Sequence, residues 1–486
     1  MLVPRPSLTI SLLLLAWVYP KVSSSALAAG PEERERILGI LKAANESRFK
    51  DWTVEQLEGI EHLNLDLAEI NDDQLAIICK LDSLRSLSFM YTQVSDQGIR
   101  TLSELRSLEK LVLHRQTSLS EKGIRELAKL EKLRALWLSS NTFDSRSLAC
   151  LSKLEKLREL NLSDSLLEDE ELEAILKGCG RLNKLDLSRT KITDRGLANL
   201  HKLSELRFLS LDETQIGDLG FREVCKLSSL QRLAVSGIRV TDKGFENLKD
   251  LPLLRTLSIR NSSIGNSGAK ALSSLGNLTS LNLSYTQITD EGLVHLSNLT
   301  NLSNLFLSGL PITDQGITHL ERLPLLKRLF VNFTSIGDDG LESIAKLRLL
   351  RDLEISNNRI TDFGVNYLSR MISLRQLNLR NTQITDHGLI ALSQRMNLKS
   401  LTLNNTLEEE IKKIERSSMP ETINQARYEL LRKKILITDK GVGALKKALP
   451  NVESLVFETF HLSFFQEAEF RSELTPNMDD SKLRHA

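Results

Sequence analysis

The chain has 486 residues with 64 Lys+Arg against 63 Asp+Glu, and its formal charge of +1 speaks against a general affinity for nucleic acid. Hydrophobic residues at 41% and charged residues at 26% exclude a disordered chain. Four cysteines over this length exclude a disulfide-built scaffold.

Residues 1–28 read as a secretory signal peptide. Arg5 supplies the positive start, Leu8 to Val18 the apolar run, and Ala26-Leu27-Ala28 a small-x-small cleavage site. The run is shorter than the roughly 20 apolar residues of a spanning helix, and Pro20 and Lys21 interrupt it. An exported protein is therefore expected: periplasmic, cell-surface or extracellular. Residues 29–59 carry helical signals, with Ile37, Ile40 and Leu41 between Glu33 and Ala44, and are expected to form an N-terminal cap.

From residue 60 to 406 one unit repeats. Leu182 to Leu203 reads LNKLDLSRTKITDRGLANLHKL, and the same seven apolar positions return from Leu278, 96 residues later. The leading apolar residue recurs fifteen times from Ile60 to Leu398 at spacings of 24 or 25. Within a unit, L-x-x-L-x-L has the period of two of a short strand, and I-T-D-x-G-L-x-x-L-x-x-L has helical spacing. A strand and a helix repeated give parallel strands with helices on one side, and only stacked neighbours can bury the leucines.

This pattern resembles the leucine-rich repeat family, in the ITDxGL form seen in exported bacterial repeat proteins and in the repeat arrays of F-box proteins. The resemblance implies an α/β right-handed solenoid of horseshoe shape, with a parallel β-sheet on the concave side and helices on the convex side. It implies binding and names no partner, because the fold hosts many tasks.

The Asp at position 13 of the unit, as in Asp194 and Asp290, invites a metal or catalytic reading. The preceding Ser, Thr or Gly, as in Thr193 and Thr289, argues for helix capping instead, with Asp facing the positive end of its own helix. Gly196 and Gly292, two residues on, read as room for a neighbouring unit. Thr at position 9, as in Thr190 and Thr286, reads as a hydroxyl serving the bare backbone of the turn.

The strand residues between the leucines face away from the core and are mostly small and polar. Phe306 and Phe330 share a slot in adjacent units, and Phe333 and Tyr285 lie three residues beyond that slot in theirs. Trp137 and Phe208 stand more isolated. These six are the candidate partner-binding residues, as aromatic anchors for a protein on the concave face. A charged group of Arg189, Asp212, Glu213, Arg232 and Arg260 reads either as orienting a partner or as a solvated mixed face. His295 and His319 share a helical slot but lack a third ligand. Cys150 and Cys179 lie in consecutive units, where a bridge and buried free thiols are both open readings. Asn-x-Ser/Thr sequons, Asn161 and Asn277 among them, arise from frequent repeat letters. No motif for a nucleophile, phosphate loop, metal or cofactor occurs, so no enzymatic activity, cofactor or catalytic residue is expected.

Residues 407–436 interrupt the last full unit with a charged, amphipathic insertion broken at Pro420. Ile437-Thr438-Asp439-Lys440-Gly441 resumes the pattern, and Val452 to Phe457 reads as a closing strand. Residues 437–471 are thus a terminal repeat and C-terminal cap, with Phe460 and Phe464 among its apolar residues, and 472–486 are a polar tail. The first functional expectation is a non-enzymatic, protein-binding solenoid. The rivals are an F-box-type adaptor that recruits substrates to a ubiquitin ligase, and an adhesive or structural surface component.

Overall fold

The structure is a computed structural model that describes residues 29–92, 94–114, 119–141, 145–393, 398–404, 437–448 and 454–458. The expected signal peptide at residues 1–28, the 407–436 insertion, Phe460, Phe464 and the 472–486 tail all lie outside the described residues.

Sixteen strands among the described residues form one open parallel sheet in chain order, from His62–Asn64 to Ser454–Glu458. Each of the first fifteen begins two residues after a leading apolar position, as in Ser280–Asn282 after Leu278. The register is one unit per strand: Leu281 pairs with Leu305, and Leu305 with Leu329. Units of 25 residues keep it, since Leu136 pairs with Leu111 and Leu185 with Leu160. Each strand but the last is followed by a short helix or a run of 3-10 turns, such as Asp290–Leu296 or Asp194–Leu197, on the other side of the sheet. This is the leucine-rich-repeat solenoid of horseshoe type.

The core follows from the pattern. In the unit that starts at Leu278, Leu278, Leu281, Leu283, Ile288, Leu293 and Leu296 are all fully buried. Successive side chains alternate sides along the strand, so with the leucines of positions 4 and 6 turned into the core, positions 3, 5 and 7 lie on the opposite face. Before the array, the helix Pro31–Ala44 buries Ile37 and Leu41, and the Glu69 N–H reaches the Ala44 carbonyl at 3.1 Å.

The Asp column proves to be a connection between units. The Asp169 carboxylate accepts the Thr193 N–H at 2.8 Å and its hydroxyl at 2.5 Å, one unit downstream. Asp194 accepts the Gly217 N–H, Asp290 accepts Thr313, and Asp338 accepts Thr361 in the same way. Each carboxylate thus satisfies the start of the next unit's helix, through charge-assisted bonds that are stronger than neutral ones. The glycine two residues after the Asp makes this possible. A Cβ at Gly196 would collide with Asp169 Oδ1, and one at Gly220 with Asp194 Oδ1. The ladder crosses the insertion unbroken, because Thr438 donates to Asp386 at 2.9 and 2.7 Å.

Position 9 behaves as its chemistry allows. The hydroxyls of Thr190, Thr214 and Thr286 donate to the carbonyls of Leu187, Leu211 and Leu283, just past their own strands, at 2.6 to 2.8 Å. Asn358 reaches further, bonding Ile355 in its own unit and Val331 in the preceding one.

Candidate functional site

The candidate site is the sheet face opposite the helices, where most residues at positions 3, 5 and 7 are at least partly open to solvent, Val112, Ala135, Ser210, Ser284 and Ser356 being buried exceptions. Phe306 and Phe330 pair directly in register, and their rings stack with centroids 4.6 Å apart and planes 28° apart. Both are half-buried, so they offer ring surface without needing to move. Stacked rings of this kind gain about 0.5–1.5 kcal/mol beyond their buried area.

Tyr285 and Phe333 belong to a column that sequence reading missed. Position 8 takes a left-handed backbone in unit after unit, including Leu67, Tyr91, Arg189, Glu213, Tyr285 and Phe333 at φ of 55 to 62°. A side chain costs roughly 1–2 kcal/mol in that region. The geometry turns the N–H onto the next unit: Tyr285 donates to the Ser308 carbonyl at 2.8 Å, and Phe333 to Ser356 at 3.0 Å. It also throws the side chain outward, leaving Tyr285 45% and Phe333 47% exposed. Tyr91 holds the same position at 50% exposure, with its ring edge-on to His114. The shared unit position with Tyr285 is the signal that would have found it. Gly309 matters here: at φ +71° a Cβ would run into the Tyr285 ring, so this glycine lets the ring lie over the next unit's backbone.

Trp137 and Phe208 are not isolated. The Lys184 ammonium lies 4.9 Å from the Trp137 ring centre and 5.5 Å from that of Phe208. Lys110 approaches Trp137 at 4.7 Å, and Arg232 approaches Phe208 at 5.2 Å. The result is an alternating stripe of Lys110, Trp137, Lys184, Phe208 and Arg232, held by cation–π attraction. Glu159 sits 3.9 Å from Lys184 beside it.

The five-residue charged group separates into different partnerships. Arg189 pairs with Glu213 at 3.0 Å, which raises the Arg189 pKa. Arg232 belongs to the stripe, and Arg260 lies 5.2 Å from the Tyr285 ring centre. Asp212 accepts the Ser236 N–H at 2.5 Å, and burial pushes its carboxyl above the usual range.

Cys150 and Cys179 form no bridge. Their thiols donate to the carbonyls of Ile124 at 3.6 Å and Leu151 at 3.4 Å, and all four cysteines are free. Burial pushes the Cys79, Cys179 and Cys225 thiols up to about 12. Among the described residues no cluster of His, Cys, Asp or Glu has the form of a metal site, and no helix is long and apolar enough to cross a membrane. The amide of the sequon residue Asn277 is bonded to the Pro252 carbonyl at 2.8 Å.

The family model described as leucine-rich repeat region matches residues 170–483, and the chain belongs to the leucine-rich repeat family. A second model, for the leucine-rich repeats of an FBD-associated F-box protein, matches residues 96–208. The comparison with curated proteins finds no match. Among solved structures, the chain is similar to an internalin from Listeria monocytogenes, at 27% identity and a TM-score of 0.53, covering 73% of this chain and 100% of that one. It is also similar to a leucine-rich repeat protein of Leptospira interrogans, at 19% identity and a TM-score of 0.50, covering 82% and 93%. Mouse RP105, solved as a complex with MD-1, matches at 18% identity and a TM-score of 0.50, covering 75% and 72%.

Proposed function

We propose that this chain is an exported, non-enzymatic leucine-rich repeat protein that binds another protein on the concave, strand-lined face of its solenoid. The stacked pair Phe306–Phe330 is the observation that carries the reading. It presents paired ring surface on the strand-lined face, and Tyr285 and Phe333 stand exposed beyond it. Exposed aromatics concentrated on one face are the usual anchors of protein interfaces. The sheet fixes their spacing before any partner arrives, which lowers the ordering cost of binding. Tyr285 and Phe333 extend the contact beyond the strand ends. The Trp137–Phe208 stripe supplies a second, charged contact zone.

The test is crosslinking in the native compartment with identification of the captured protein, repeated with Phe306→Ser and Phe330→Ser. Loss of the captured protein in the variant, with an unchanged melting curve, supports the reading; equal capture refutes it.

The match to F-box-associated repeats over residues 96–208 favours one second reading, an adaptor that delivers substrates to a ubiquitin ligase. Fractionation with N-terminal sequencing separates the two. A mature chain in an exported fraction, cut near Ala28, supports the first; an uncut chain in the cytosol supports the second.

A further inference from the structure

A second surface lies away from the aromatic face, on the turns that carry the chain from each helix into the next strand. At the position just after the leading apolar residue, backbone bonds of 2.7 to 2.8 Å join Lys327, Arg351, Arg375 and Lys399 in single file. Neighbouring strands lie about 5 Å apart, so four cations run side by side along the edge. At the other end of the solenoid the same position alternates in sign. There Arg85 pairs with Glu61 at 3.2 Å and with Glu109 at 2.8 Å, and Arg134 lies 3.4 Å from Glu109. Like charges at neighbouring positions repel, and this file gathers four of one sign.

The turns beside that file set exposed aliphatic tips among cations, whereas the comparably basic turns 128–134 and 152–158, AKLEKLR and SKLEKLR, carry Lys132 and Lys156 at their tips. The segments 321–327, 345–351 and 369–375 read ERLPLLK, AKLRLLR and SRMISLR, and Glu321 is their only carboxylate. It is already paired with Lys346 at 2.9 Å. Arg322, Lys327, Arg348, Arg351 and Arg370 are all exposed. Between them stand three aliphatic side chains, Leu325 at 43%, Leu349 at 44% and Ile372 at 74% exposure. The equivalent turns 273–279 and 297–303, SSLGNLT and SNLTNLS, carry no charge.

From this juxtaposition we propose that the turn edge running from Glu321 to Lys399 is a docking surface for an anionic lipid bilayer. Aliphatic tips flanked by Lys and Arg are what an interface of lipid phosphates over acyl chains takes up: cations meet the headgroups, and Leu325, Leu349 and Ile372 enter the boundary layer. A bilayer asks for no complementary pocket, which fits side chains standing singly on turn tips. Docking here leaves the aromatic face open, so this inference does not depend on which protein that face binds.

The test is co-sedimentation of the purified chain with vesicles of phosphatidylcholine alone, or of phosphatidylcholine and phosphatidylglycerol in equal parts. The parent chain sediments with the anionic vesicles and not with the neutral ones. Lys327→Glu with Arg351→Glu weakens this by about 10-fold or more. Leu349→Ser with Ile372→Ser leaves residual binding that salt abolishes. Lys132→Glu with Lys156→Glu, at the positions of Leu325 and Leu349 on the turns into strands Ala135–Trp137 and Glu159–Asn161, changes nothing. All variants are compared at matched melting temperature. The proposal fails if anionic vesicles do not retain the parent, if the Lys132/Lys156 variant loses as much as the Lys327/Arg351 variant, or if polyglutamate binds while vesicles do not.

Discussion

The two aromatic groups on the sheet face are built differently although the same repeat carries both. In the N-terminal half, Trp137 and Phe208 are screened by cations, with Lys110 and Lys184 flanking one ring and Lys184 and Arg232 the other. In the C-terminal half, Phe306 and Phe330 stack on one another, and the nearby Arg328 turns away to pair with Asp352 at 2.8 Å. A ring attracted to a cation has already used part of its π surface. A stacked pair engages only its inner faces, which under the proposed function leaves the outer ones for a partner. Identity of residue type therefore does not make equal binding groups; their neighbours one and two units away decide.

The sharpest break of this contrast is Phe330→Ala, which is expected to weaken binding of the natural partner by about 2 kcal/mol or more, measured by titration calorimetry. Gly309→Ala acts next, by forcing a side chain into a left-handed turn against the Tyr285 ring; about 1–2 kcal/mol of stability should be lost in denaturant melts. Trp137→Ala should weaken the same partner by about 1 kcal/mol, less than Phe330→Ala, because its ring is screened. Lys184→Met removes the cation shared by Trp137 and Phe208 and should cost about 0.5–1 kcal/mol in stability, with a smaller salt dependence than the parent.

The smallest effect is a pH dependence from Asp212, in the N-terminal half. Burial raises the Asp212 carboxyl in the folded state, so the fold holds this proton more tightly than the unfolded chain does. The corresponding stability is complete below the ordinary carboxylate value and is lost as pH rises through the raised one. Asp212→Asn removes that loss. Its melting temperature should match or exceed the parent's at neutral pH, and the gap should close in acid.

The leucine register made the array legible, because a strand forced to bury positions 4 and 6 must present 3, 5 and 7 outward. It therefore placed Phe306 beside Phe330 from spacing alone. The left-handed column was hidden because its occupants are Leu67, Tyr91, Arg189 or Phe333 as readily as Gly237, so no glycine marks it. The Trp137–Phe208 stripe was hidden for a different reason. Lys184 bridges rings in two other units, and the reach of a long side chain across strands leaves no trace in a 24-residue period. The Asp ladder was half visible. Thr193 and Asp194 read as a cap on one helix, whereas the carboxylate that serves Thr193 is Asp169 of the unit before.

One measurement bears on the central claim most directly: a photoreactive benzophenone residue placed at position 330, and in a control at exposed Val294 on the helix side, irradiated in the native compartment. The account predicts a single protein adduct at 330 that excess unlabelled chain competes away, and none at 294. No adduct at 330, or the same adduct at both positions, would contradict it.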